Sequence, residues 1–175
     1  MATRSVTHFI TAQHGPLDVT TYTRPRLETF DTTATVYKHW DGYPEAMVPM
    51  FHEFLRRVGR LGDTRFGDPS HLAAKWVVFL ADHYNSRYDS TTGRDVKNDS
   101  YLDFLSVGIV NHEPGDIEYR WYVDCTIREG DQPRIGYQVV DWDSEKLENV
   151  PGATEFGQVT WIDLNLWMEG ERDLG

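Results

Sequence analysis

The sequence predicts one α+β domain over residues 1–175: a mainly antiparallel sheet, or a mixed one, with two helices packed on one face. Three observations predict it. Residues 117–127 alternate strictly between apolar and polar, the period of a half-buried strand. Two stretches with helical apolar spacing lie together between two groups of strand-like segments, so helices on one side of a meandering sheet is the simplest packing. Hydrophobic residues make up 39% of the chain, with 6 Trp, 9 Tyr and 8 Phe, enough to bury a core at this length.

Ser5–Ile10 and Leu17–Thr23 read as strands separated by Gly15-Pro16. Thr32–Lys38 (TTATVYK) is rich in β-branched residues, which suit a pleated surface. It leads directly into a helix, which is the argument for a mixed sheet. Pro44 opens the first helical pattern, because a first-turn proline loses only an N–H that is unpaired anyway. Met47, Met50, Phe51, Phe54, Leu55 and Val58 share one face. Pro49 shifts the expected start of regular helix toward Val48, and Gly59 and Gly62 end it.

A second helix is expected from Pro69 or Ser70 to about Tyr84, capped by Asp68 or Ser70. Its buried stripe is Leu72, Trp76, Phe79, Leu80 and His83. Asn85–Ser100 is polar and reads as a long surface loop. Leu105–Asn111 and Ile117–Ile127 flank the turn Glu113-Pro114-Gly115-Asp116, which predicts a hairpin. In the second of these, Ile117, Tyr119, Trp121, Val123, Cys125 and Ile127 share one face, and Glu118, Arg120, Tyr122, Asp124 and Thr126 the other. Arg134–Asp141 is a further strand, Ser144–Glu148 a short helical turn, Gln158–Trp167 a last strand and Glu169–Gly175 a polar tail.

The net charge is −11, from 28 acidic and 17 basic residues. Such a surface repels nucleic-acid phosphates and anionic lipid, which speaks against direct nucleic-acid binding. Arg56, Arg57 and Arg60 form the densest basic cluster and read as a solvated helix end. No apolar run reaches the length of a membrane helix, and the N-terminal stretch does not read as a secretory signal. One cysteine excludes an internal disulfide framework. A cytoplasmic location is the default expectation.

The most distinctive segment is YKHWDGYPE, which sets His39, Trp40, Asp41, Gly42 and Tyr43 between a strand and a helix. Strand ends and helix starts expose backbone donors, and binding residues favour loops on rigid scaffold. Gly42 permits a positive φ. Asp41 pairing with His39 would fix the imidazole tautomer, and Trp40 and Tyr43 offer stacking faces. These five are the candidate ligand-binding residues. The competing reading makes the rings plugs at the core edge and Asp41-Gly42 plain turn chemistry.

The run HWDGYPE, followed by an amphipathic helix, is similar to a motif in uncharacterised proteins of tailed phages, prophages and archaeal viruses. The match covers about seven contiguous residues and the helix after them. It implies a viral or mobile-element origin and a small α+β domain, and it carries no catalytic residues with it. A protein of that kind acts in the host cell, with the virion as the alternative location.

Other chemistry has less support. Asp141 and Asp143, with His112-Glu113 or Asp163, would make an oxygen-rich metal site, but Asp143-Ser144 equally caps a helix. No HExxH, zinc spacing, P-loop, GxGxxG or GxSxG occurs, so no cofactor or metal is expected and no catalytic residue is assigned. Cys125 lies on the face expected to be buried, where thiols are inert. The favoured expectation is a non-catalytic module that binds a host protein or a small polar or nucleotide ligand. The alternatives are a nucleotide or phosphodiester hydrolase using His39 and Asp41, and a virion structural component.

Overall fold

The computed structural model describes residues 3–12, 30–60, 65–92, 107–126, 132–140 and 159–170. Among these, the chain runs β1 (Ser5–Ala12), β2 (Phe30–Lys38), α1 (Pro44–Arg60), a 3-10 turn (Arg65–Gly67), α2 (Pro69–Thr92), β3 (Val107–Val110), β4 (Tyr119–Asp124), β5 (Arg134–Val139), β6 (Thr160–Ile162) and α3 (Leu164–Glu169). The strands form one sheet in the order β3-β2-β1-β4-β5-β6. All pairings are antiparallel except β1 with β4, which is parallel. The α+β class and the mixed, mostly antiparallel sheet match the sequence expectation. The strand expected at Leu17–Thr23 and the helical turn at Ser144–Glu148 lie outside the described residues.

Helices pack on one face because the strand residues with apolar side chains there lie in register. Val36 and Trp121 both pair with Thr7, and Phe9 and Ile135 both pair with Val123. These join Phe51, Phe54 and Leu55 of α1 and Leu72, Trp76 and Leu80 of α2 in one core. Trp76 is its centre, stacked at 4.6 Å on Phe51 and at 5.3 Å on Phe79. Each such ring contributes about 2–3 kcal/mol by leaving water.

Helix α1 starts at Pro44 itself, with Tyr43 O accepting from the amides of Ala46 and Met47. Pro49 sits inside it without shifting the start to Val48. The bond it cannot make would fall on the carbonyl of Glu45, an exposed residue in the first turn, where water can serve that oxygen.

Four expectations need correcting. First, the segments around 107 and 119 do not form a hairpin. β3 pairs with β2 at one edge, while β4 sits between β1 and β5. β3 and β4 both run parallel to β1, so residues 111–118 form a crossover past β2 and β1. Burial agrees: Ile109 on β3 is 77% exposed, whereas Trp121 to Asp124 on β4 are all buried. The local turn at Gly115-Asp116 reverses the chain without obliging its flanks to pair. Second, α2 runs to Thr92, so half of the expected 85–100 loop is helix. Polar composition alone does not stop a helix, so loss of apolar periodicity is a poor stop signal. Third, Gln158–Trp167 divides into the short strand β6 and α3, because Asp163 caps a helix by accepting from the amides of Asn165 and Leu166. Fourth, a third helix therefore joins the expected two, with Leu164 and Trp167 against the core.

The second sheet face carries His8, Thr35 and Arg120 beside the buried Val6, and at its far end Ile10 and Tyr122 pack with Val159 and Trp161. Gly136 is required there: a Cβ would come within 2.8 Å of the Trp161 ring. Buried Asp124 accepts from the Arg134 guanidinium, which in turn lies 4.8 Å over Trp161.

Candidate functional site

The 39–43 turn is built around a lysine. Lys38 closes β2 with its side chain on the helix face, 1% exposed. A buried ammonium must be bonded to be tolerated. Its Nζ donates to the carbonyls of Trp40 and of Asp41, the latter at 2.8 Å, and lies 5.6 Å over the Tyr84 ring of α2. The Tyr84 hydroxyl donates to Trp40 O as well, at 3.3 Å. Two successive carbonyls thus turn inward, and Asp41 takes φ 52 to allow it, a conformation that Asp tolerates better than most residues.

Gly42 seals the other side. Its amide donates to Thr3 O at 2.9 Å, and its carbonyl accepts from the buried Trp121 indole at 2.8 Å. The positive φ expected at Gly42 belongs instead to Asp41. Gly42 is needed for close approach: a Cβ there would lie 2.7 Å from the Ser5 Cβ and 2.9 Å from Thr3 O.

With the backbone fixed from within, two rings stay outside: Trp40 is 45% exposed and Tyr43 is 37% exposed. His39 is half-buried and stands edge-on to Trp40, with ring centroids 4.4 Å apart at 81°. The sequence reading paired His39 with Asp41, but its Nδ1 bonds to the Tyr37 hydroxyl at 2.9 Å. Near Tyr37 stands Arg4, which bridges to Asp116 of the crossover at 2.7 Å and whose charge favours the phenolate. Burial first, and the Asp116 carboxylate second, push that phenol above its ordinary value. Of the five candidates, then, Trp40 and Tyr43 face solvent, His39 is held at the rim, and Asp41 and Gly42 form the backbone of the turn.

A second polar cluster lies further along the opposite sheet face. Glu113 of the crossover accepts from His8 Nε2 at 2.9 Å and from Arg120 Nε at 2.7 Å. His8 Nδ1 meets Thr35 Oγ1 at 3.0 Å, and its ring stacks on Tyr122. The Tyr122 hydroxyl donates to Gln138. Burial alone would raise the Glu113 carboxyl, but the bonds from His8 and Arg120 outweigh it and hold it at about 2. Burial pushes the Tyr122 phenol up. With its cation and its carboxylate both paired, this cluster serves to fasten the crossover.

No protein-family model, curated protein or solved structure matches the chain. The site therefore rests on its own geometry.

The remaining candidates take structural parts. Asp141 and Asp143 lie outside the described residues. Asp163 is spent as the α3 cap, Glu113 as above, and His112 bonds Asn111. Among the described residues no group of three or more His, Cys, Asp or Glu is placed to hold a metal. Cys125 is buried, and burial, with Asp124 and Asp68 adding, pushes its thiol up to about 12. Arg56 and Arg57 both clasp Glu53, and Arg57 reaches Asp82 of α2 at 2.9 Å. Those two bonds bring Glu53 down to about 2. This basic cluster is thus paired rather than a free patch; the Arg60 side chain is outside the described set.

Neither Lys38 nor Arg4 was singled out from sequence. Lys38 carried a signal in hindsight, since in TTATVYK it continues the parity of the apolar Val36. Arg4 carried none.

Proposed function

We propose that this protein is a non-catalytic binding module of viral or mobile-element origin, and that the 39–43 turn takes its ligand, a small polar molecule of nucleoside or nucleotide type or a surface of a host factor. The observation that carries the binding reading is the division of the turn. Lys38, Tyr84 and Trp121 hold its backbone, and Trp40 and Tyr43 remain turned to solvent. Exposed rings on a rigid support lose little entropy when they bind. The origin rests on the HWDGYPE run alone. The hydrolase reading gains nothing from the geometry, because the His39 Nδ1 that Asp41 would orient is bonded to Tyr37.

The test is a two-dimensional NMR titration of the whole protein with nucleosides, mononucleotides and monosaccharides. Shifts confined to the amides around 39–43, abolished in a Trp40→Ala, Tyr43→Ala double variant of unchanged melting temperature, support the reading. Shifts clustered elsewhere, or a double variant that binds as well as the parent, overturn it.

A further inference from the structure

Resting on the reading above, we propose that Tyr37 is a positioning residue that fixes His39 with its hydrogen on Nε2, so that the turn selects a ligand carrying a hydrogen-bond acceptor. The Tyr37 hydroxyl meets His39 Nδ1 at 2.9 Å, and of the two groups the phenol is the better donor and the imidazole nitrogen the better acceptor. The phenol keeps its own hydrogen, since burial and Asp116 both disfavour its loss. That hydrogen points to the acceptor at 2.9 Å, His39 Nδ1. A neutral imidazole has one hydrogen, and with Nδ1 accepting it sits on Nε2. Among the described residues Nε2 has no hydrogen-bond partner, and it stands at the rim beside the exposed Trp40.

A donor next to an open indole face describes its ligand in chemical terms. The flat part stacks on Trp40, and an acceptor oxygen or ring nitrogen meets His39 Nε2–H. The net charge of −11 disfavours a carboxylate or phosphate as that acceptor. The class is an uncharged heterocycle with a carbonyl or ring-nitrogen acceptor, as in a nucleoside base.

Long-range proton–nitrogen NMR correlation of the His39 side chain in the full chain reads the tautomer directly. The wild type is expected to show a bare Nδ1 and a protonated Nε2; the opposite pattern overturns the proposal without any variant being needed. Tyr37→Phe is expected to mix the tautomers and to weaken uridine binding about fivefold, and an unchanged imidazole spectrum overturns it. Uridine is expected to bind more tightly than uridine monophosphate. A wild type that ignores uridine, or prefers the phosphate, overturns the ligand class. Trp40→Ala keeps the His39 signature while losing uridine. If it binds uridine like the parent, the binding role of the turn falls, and the imidazole spectrum still judges Tyr37 separately.

Discussion

Gly42 and Lys38 determine the shape of the turn from opposite sides, and each fails differently when changed. Gly42→Ala forces a methyl group against Ser5 and the Thr3 carbonyl. Backbone lies on the far side of that clash, so β1 must shift. We expect a loss of about 2 kcal/mol, seen as a lower urea midpoint at unchanged slope. Lys38→Met keeps the volume and removes the ammonium, which strands the Asp41 carbonyl and leaves Trp40 O with the Tyr84 hydroxyl alone. Unmet buried carbonyls cost about 2 kcal/mol or more. Trp40 exposure should then change, which its fluorescence emission reports. Sequence reasoning found these positions unevenly. The rings of the motif are legible because Trp and Tyr at a strand–helix junction are unusual in any chain. The lysine was hidden because a charged residue at a strand end reads as solvated.

The crossover of residues 111–118 shows why elements are legible one at a time and their partners are not. Strict alternation located β4, and the apolar spacing located α1 and the first part of α2. Turn residues at 113–116 suggested a hairpin, because pairing neighbours is the cheapest local solution. What decided otherwise is the pairing of β4 with β1, together with Glu113 bonded to His8 and Arg120. Those three residues come from three separate stretches, so no local pattern announces them. Glu113→Gln leaves half-buried Arg120 without its carboxylate, and we expect a loss of about 2 kcal/mol at neutral pH. The acid behaviour follows from the sign of the shift. Folding lowers the Glu113 value from 4.5 to about 2. Its contribution is therefore whole above 4.5, shrinks below it and is gone once the pH falls past about 2. Urea midpoints at pH 6 and pH 3 should converge between Glu113→Gln and the parent as the pH drops. A constant gap would disprove the assignment.

Among the described residues the main core lies on one sheet face under three helices, and the crossover lies on the other. Cys125 reports on that core, because it packs in the same cluster as Trp76 and Trp121 and is 2% exposed. Its thiol is both covered and held near 12. Modification by a disulfide reagent should thus follow global opening, with a rate that tracks the unfolding free energy across urea concentrations. A fast, urea-independent reaction would mean that the β4 end opens locally. The class of the fold was readable because length, aromatic content and two periodicities agree. The strand order was not, because it depends on contacts between residues far apart in the chain.

The parallel pairing of Ser5 with Tyr119 also governs how the protein is made. β1 and β2 leave the ribosome early and can zip together, and α1 and α2 follow with their apolar faces. The inner edge of β1 has no partner until translation passes Asp124. Until then the nascent chain carries an open strand edge. A chain cut short before β4 keeps that edge open.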